Sequence, residues 1–276
     1  MREDGSSFEK LPLPDAEGGL PAAYGGVSVL PDGRLGLVRA CSPPDGRARA
    51  EYALLAFDPE RTTLETLAKL DRPLDSHTWD PPLRRGLYSR NSGICAGIGA
   101  LSRAGPEPLE VSVVEDVGSW RIDSPLVAEN GDCSSDEGRA KGPAWSPDGS
   151  AVAFLASPRS IGVSGADRVG RPWNLYVMHP ERREPRAVLR EILEPSYPVW
   201  SPDGRMLALL GQIPNSSRGL LLLSFTDGGL WRVATGEVAP ASWSPDGKRL
   251  LAIRRLSPIG EWPLRSEPVI VELRGT

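Results

Sequence analysis

The sequence has no long hydrophobic run and no excess of basic residues. Its longest apolar stretch, Gly219–Phe225, is far shorter than the ~20 residues that a bilayer-spanning helix requires, so we expect no membrane insertion. Asp and Glu number 36 against 32 Lys and Arg, a net charge of -4 that argues against a nucleic-acid-binding surface. With 39% hydrophobic and 25% charged residues, the composition is typical of a soluble globular protein.

Histidine and cysteine are also scarce, with 2 and 3 residues respectively. We expect His77 in a connector and His179 at a turn, both as surface residues without a nucleophile beside them. Cys41, Cys95 and Cys133 lack the CxxC spacing of zinc or redox sites. In an oxidising compartment Cys41 and Cys95 are the pair that a disulfide would join, and the alternative is that Cys95 is a small buried apolar residue.

Two further stretches resemble functional motifs only superficially. The segment Gly162–Gly165 lacks the second glycine that a serine nucleophile elbow needs. The acidic stretch Glu129–Glu137 lacks the alternating spacing and the late glutamate of a calcium-binding loop, so we interpret it as a solvated loop. We therefore predict no catalytic residue, no metal and no cofactor.

What the sequence does contain is a repeated pentapeptide, Trp-Ser-Pro-Asp-Gly, which begins at Trp145, Trp200 and Trp243 and is followed each time by a short apolar run. Such self-similarity indicates a repeat architecture. Proline and glycine supply the dihedral angles of a hairpin turn, so each copy should join two antiparallel strands. We interpret the aspartates as turn caps and the tryptophans as packing residues between units. This structural set comprises Asp32, Trp79, Trp145, Asp148, Trp200, Asp203, Trp243 and Asp246.

Two degenerate copies lie upstream, at Val27–Gly33 and Thr78–Leu83, and Leu109–Val114 is expected to be the fourth strand of the second unit. The gaps between copies are too short to hide another four-stranded unit of roughly 40 residues, which favours five units over six. We place all units in one domain of residues 1–276. Their approximate boundaries are 24–70, 76–116, 142–192, 197–236 and 240–276.

The last unit has room for three strands only. A ring of sheets removes its exposed edges by closing on itself. We therefore expect residues 7–13 to pair as a fourth strand beside Pro268–Leu273, because Phe8, Leu11 and Leu13 would be wasted apolar surface on a free tail, which is the alternative.

Repeats of this form resemble those of the TolB-like propellers, a WD-repeat-like group, from Val27 to Leu273. The resemblance implies an all-β, five-bladed β-propeller of four-stranded antiparallel blades. Related propellers also cover prolyl-oligopeptidase-like hydrolases, whose catalytic α/β domain this sequence does not contain.

Antiparallel connectivity sorts the loops of such units by side. Links from first to second and from third to fourth strand are short, and we name their side the short-turn face. Links from second to third strand and between units are long, and we name their side the loop-rich face. Long loops on a rigid scaffold concentrate binding residues, and tryptophan with arginine is enriched at interface hot spots. The candidate binding residues there are Trp120, Arg159, Arg168, Arg171, Trp173, Trp262 and Arg265.

We expect from these features a monomeric, non-catalytic module that recognises a protein or peptide through the loop-rich face. The alternatives are an accessory or regulatory propeller of a hydrolase, a weak hydrolase, or a carbohydrate- or calcium-dependent lectin-like propeller. The opening residues 1–7 read like a trimmed linker, so we expect the protein to be the extracytoplasmic part of a longer exported or membrane-anchored precursor.

Overall fold

The structure is a computed structural model, in which the backbone of the described residues forms strands and turns and no helix. The described residues are 13, 22–41, 51–70, 74, 76–81, 83, 85–91, 96–102, 109–111, 139–157, 172–179, 185–257 and 265–273. Among the described residues there is no helix with the length and apolarity needed to cross a bilayer.

Nineteen strands follow one another along the described residues. The first eight are β1 (Ala22–Val29), β2 (Leu35–Cys41), β3 (Glu51–Asp58), β4 (Thr63–Leu70), β5 (Ser76–Trp79), β6 (Arg85–Asn91), β7 (Ala96–Ser102) and β8 (Leu109–Val111). The remaining eleven are β9 (Arg139–Trp145), β10 (Val152–Ser157), β11 (Trp173–Met178), β12 (Pro185–Ile192), β13 (Val199–Trp200), β14 (Met206–Gly211), β15 (Gly219–Ser224), β16 (Leu230–Thr235), β17 (Val238–Trp243), β18 (Arg249–Arg255) and β19 (Ser266–Glu272).

These strands form five sheets within the described part of the chain. In the order of the chain, the sheets contain β1–β4 together with β8, then β5–β7, β9–β12, β13–β16 and β17–β19. Each strand within a sheet pairs antiparallel with the next one in sequence, as the hairpin turns predict, apart from the pairing of β8.

The position of β8 corrects one expectation. Leu109–Val114 was expected to complete the second unit, but Leu109–Val111 instead pairs parallel with β4, with Ala68 opposite Leu109 and Leu70 opposite Val111. The outer edge of β4 carries backbone N–H and C=O groups that need partners, and this short apolar segment supplies them. The assignment to the second unit is therefore wrong, and the described part of that sheet has three strands.

A hydrophobic core lies between each pair of consecutive sheets. Trp79 of the second sheet packs on Leu54 of the first, and Trp145 of the third sheet packs with Leu87 of the second. Side chains alternate across a strand, so β10 directs Phe154 towards the second sheet and Leu155 towards the fourth. Each fully buried side chain of this size stabilises the fold by about 1.5–3 kcal/mol.

The first and last sheets each have a face that no consecutive sheet covers. On the first sheet this face carries a cluster that includes Leu37 and Phe57, and Leu13 packs against it. On the last sheet Leu251, Ile253 and Ile270 remain 36–61% exposed, although the alternate positions of the same strands are turned into the core with the fourth sheet. The first and last sheets thus each present an apolar face that no consecutive sheet covers.

Candidate binding surface

The hairpins on the short-turn face are closed by hydrogen bonds within the repeated motif itself. In the third sheet the Ser146 hydroxyl donates to Asp148 Oδ1 at 2.6 Å and accepts from the Ala151 N–H at 2.9 Å. Asp148 Oδ1 also accepts from the Ser150 N–H at 3.0 Å. Gly149 has a φ of 71°, in the region that favours glycine. The turn thereby satisfies its own polar groups.

The same bonds recur in the next two sheets. Ser201 donates to Asp203 and Ser244 donates to Asp246, each at 2.6 Å. Donation by the serine hydroxyl is the main reason that the pKa of each of these aspartates, and of Asp148 beside Ser146, lies below its ordinary value. The short-turn face consequently carries ionised carboxylates at neutral pH.

A depression with a volume of about 430 Å³ lies on the same face, at the first sheet. At its centre Arg34 forms ion pairs with Asp32 at 2.7 Å and Glu65 at 2.5 Å. Asp58, Glu60 and other side chains of the adjoining turn complete the lining. Arg34 and the neighbouring pair of Arg61 with Asp58 make the depression a network of ion pairs. Among the residues described, no group of three or more His, Cys, Asp or Glu side chains is placed to hold a metal ion.

At the opposite end of the sheets, a lysine lies against two aromatic rings. Lys141 Nζ is 4.6 Å from the centroid of the Trp173 ring and 6.0 Å from that of Tyr197, and it donates to the Pro195 carbonyl at 2.9 Å. These contacts combine a cation–π interaction with a hydrogen bond. They join the third sheet at the loop-rich face to the segment that leads into the fourth.

Five arginines occupy the loop-rich ends of the fourth and fifth sheets, and we name them the arginine belt: Arg218, Arg232, Arg254, Arg255 and Arg265. Arg218 pairs with Glu237, and Arg254 pairs with Glu267 at 3.2 Å. Arg232 donates to the Ser217 carbonyl at 3.1 Å, next to Arg218 in the chain. The Arg255 N–H donates to the Glu237 carbonyl at 2.8 Å, which connects the belt across the two sheets.

Comparison with known structures shows the fold. TolB from Acinetobacter baumannii superposes with a TM-score of 0.53 at 16% identity over 92% of this chain and 63% of that one. The putative TolB from Agrobacterium tumefaciens gives 0.56 at 14% identity over 90% of this chain and 77% of that one. The chain has the fold of a TolB-like β-propeller. No family model matches the sequence.

Propellers of this fold also occur in peptidases. A puromycin-hydrolyzing peptidase of Mycobacterium tuberculosis superposes with a TM-score of 0.55 at 16% identity, over 92% of this propeller and 37% of that chain. An uncharacterized peptidase of Bacillus subtilis (strain 168), YuxL, is 37% identical over 71 residues, which are 26% of this chain and 9% of that protein. The propeller therefore spans only a small part of the peptidases it resembles.

Of the binding residues expected from the sequence, the described part of the propeller contains two, Trp173 and Arg265. Trp173 is 7% exposed and belongs to the core between the third and fourth sheets, which corrects the expectation that its ring is available to a partner. Arg265 is exposed at the loop-rich face. The other five lie outside the described residues: Trp120, Arg159, Arg168, Arg171 and Trp262.

Histidine and cysteine placement also differs in part from expectation. His77 belongs to β5 and is 5% exposed, with Ser28 Oγ 3.3 Å from its Nδ1, so the expected surface position is wrong. The first two sheets meet there, and burial follows from that contact. His179 is exposed, with Nδ1 2.9 Å from the Ser150 carbonyl oxygen. Cys41 is a buried free cysteine at the end of β2, and Cys95, the partner expected for a disulfide, lies outside the described residues.

Sequence reasoning missed Lys141 and four members of the arginine belt. Arg218 lies in the link from second to third strand of the fourth sheet, Arg232 in its fourth strand, and Arg254 in the second strand of the fifth sheet. They come to one side only because these links and strand ends share the loop-rich face. The number of arginines near the predicted strand ends of the last two units was the signal that would have revealed them.

Proposed function

We propose that the propeller is a non-catalytic recognition module that binds a protein or peptide through its loop-rich face. One contrast supports this proposal. The hairpins of the short-turn face use their polar groups within the motif, whereas the loop-rich end of the last sheet presents Leu256, 53% exposed, next to the exposed Arg265. Arginine and apolar side chains on a rigid backbone suit recognition, since the backbone that carries them need not be ordered on binding.

Paired substitutions on the two faces test the proposal. A photo-crosslinking amino acid at position 265 should capture a partner in cells of the source organism, and the same residue at position 248, on the short-turn face, should not. Trp262→Ala with Arg265→Ala should abolish capture from a third loop-rich position, 256. The matched control is Trp231→Ala with Lys248→Ala, because Trp231 is 40% exposed but lies on the outer strand β16. Capture from position 248 alone would overturn the face assignment.

A second candidate, an accessory propeller of a hydrolase, is supported by the two peptidases that the chain resembles in part. Purified protein should then bind a separately produced hydrolase and change its substrate range. The recognition proposal instead predicts no cleavage of ester, peptide or glycoside substrates by the purified propeller. Turnover that follows the protein through purification and disappears on unfolding would favour a hydrolase.

We also propose that the propeller has five blades and that residues 7–13 close the ring as the fourth strand of the last blade. Residues 7–12 lie outside the described residues. Support comes from Leu13, which packs on the free face of the first sheet. Among the described strands β19 pairs only with β18, so its second edge has room for a further strand.

Hydrogen exchange tests this closure. Deletion of residues 1–12 should accelerate amide exchange in β19 while β14, a buried strand inside the fourth sheet, stays protected. Glu9→Gln in the intact chain is the control and should change neither. Unchanged exchange of β19 after the deletion would mean that the segment does not pair there.

The expected monomeric state and extracytoplasmic location remain proposals with direct tests. Light scattering coupled to size exclusion measures the first, and fractionation of cells that express the natural gene measures the second. A dimer at low protein concentration or recovery with cytoplasmic markers would contradict them.

A further inference from the structure

The arginine belt is one connected surface across the fourth and fifth sheets. Arg232 reaches the carbonyl of Ser217, the neighbour of Arg218, and Arg218 pairs with Glu237. The backbone of Arg255 is bonded to that of Glu237, and β18 and β19 are in register with Arg254 opposite Glu267. Charged groups that are linked in this way act on a ligand together and not as separate points.

The belt has an excess of positive charge. Five arginines and three carboxylates, Glu194, Glu237 and Glu267, lie among the described residues at these ends, although the whole chain has a net charge of -4. The local sign is thus opposite to that of the protein, and such a patch steers a partner of opposite charge.

The ion pairs of the belt differ in how readily they can be exchanged. The side chains of Arg218 and Glu237 are 20% and 26% exposed, whereas those of Arg254 and Glu267 are 51% and 45% exposed. An exposed pair of this kind contributes about 0–1 kcal/mol to stability. Arg254 can therefore turn from Glu267 to a partner's carboxylate at little cost, while Arg218 holds the scaffold.

An apolar residue lies beside the exposed arginines. Leu256 donates its N–H to the Arg265 carbonyl at 2.8 Å, so the loop end is held in place, and its side chain is 53% exposed. A rigid leucine next to arginine forks offers both apolar contact and bidentate hydrogen bonding to carboxylates.

We infer that the arginine belt with Leu256 recognises an acidic peptide segment that carries at least one apolar side chain. This inference rests on the proposed recognition role and names the partner chemistry.

Fluorescence anisotropy with defined peptides tests the inference on the full chain. The probe is a short fluorescein-labelled peptide of glutamates with two leucines, and its comparison peptides replace every glutamate by glutamine or by lysine. Arg254→Glu with Arg265→Glu should weaken binding of the acidic probe about tenfold or more. Arg205→Glu with Lys248→Glu makes the same change of net charge on the short-turn face and should alter the affinity by less than about twofold.

Each outcome has a distinct meaning. Equal loss in both variants would show attraction by net charge alone and overturn the inference, and so would failure of the acidic probe to bind. Leucine-dependent binding of the glutamine or lysine peptide at the belt, located by hydrogen exchange, would reject the acidic partner but leave the recognition role standing. Location of every bound peptide on the short-turn face would reject both. Thermal unfolding of each variant verifies that it is folded.

Discussion

The fourth and fifth sheets have similar strands but different surroundings. In β14 and β15 nearly every side chain is buried, because the third sheet covers one face and the fifth covers the other. In β18 and β19 exposed and covered positions alternate, because the fourth sheet covers one face only. Leu251 and Leu222 are equally apolar, yet one is 36% exposed and the other 1%. Whether an apolar side chain is buried in this fold therefore depends on the sheet that covers it and not on the sequence of its own strand.

Truncation of one apolar side chain in each sheet gives the largest expected difference. Leu222→Ala, between the fourth and fifth sheets, should lower the free energy of unfolding by about 2–5 kcal/mol, because it leaves a cavity. Ile270→Ala, at a side chain 61% exposed, should cost less than about 1.5 kcal/mol, because the proposed closing segment pairs with the edge of β19 and not with this face. Urea unfolding followed by tryptophan fluorescence measures both. Equal losses would show that the outer face of the fifth sheet is as well covered as its inner face.

Removal of the hydrogen bonds that join the sheets should have a smaller effect. Trp200 Nε1 donates to the Ala144 carbonyl at 3.0 Å and Trp243 Nε1 to the Val199 carbonyl at 3.2 Å. Trp200→Phe and Trp243→Phe should each cost about 1–2 kcal/mol, since a carbonyl loses its donor while most ring area is kept. Trp231→Phe, at an exposed ring, is the control. A control loss of the same size would assign the effect to the ring and not to the bond.

Replacement of the turn serine should give a still smaller difference in stability between the fourth and fifth sheets. Ser201 is 1% exposed and its hydroxyl accepts from the Met206 N–H at 2.8 Å. Ser201→Ala should cost about 1–2 kcal/mol, because it leaves this donor without its partner. Ser244→Ala, at a partly exposed turn of the fifth sheet, should cost about half as much, since water can replace the hydroxyl. Thermal unfolding of the two variants provides the ranking, and a reversed order would contradict it.

The dependence of stability on pH should give the smallest effect. The pKa of Asp203 in the folded protein lies below its ordinary value of 3.8, chiefly because Ser201 donates to it. Its contribution is therefore fully present above the ordinary value and is lost as the pH falls through the folded-state pKa. In Ser201→Ala, titration of the Asp203 carboxylate by NMR should show a higher pKa than in the unsubstituted protein. An unchanged titration would assign the low pKa to the backbone donors.

The sequence predicts the parts of this fold that depend on local chemistry. Serine, proline, aspartate and glycine in a fixed order specify the hairpins at Ser146, Ser201 and Ser244, because their hydrogen bonds close within the motif. The apolar runs that follow them become strands as expected.

Contacts between distant segments could not be read in the same way. The pairing of Leu109–Val111 with β4 and the burial of His77 depend on which sheets meet, and a turn motif carries no information about that. Trp173 did carry a signal. β11 is apolar at every position except Asn174, and such a strand predicts burial on both faces, which argues against an exposed ring at its first position. Prediction of the arginine belt would have required the positions of the loop ends of two sheets relative to each other.

The tryptophan hydrogen bonds share a direction along the chain. Trp200 reaches back to the third sheet and Trp243 reaches back to the fourth, so each later sheet is fastened to a carbonyl of one that precedes it. During synthesis the amino-terminal part leaves the ribosome first. The acceptors for Trp200 and Trp243 therefore exist before these two residues are made, and the fourth and fifth sheets can assemble in the order of translation without waiting for the carboxyl terminus.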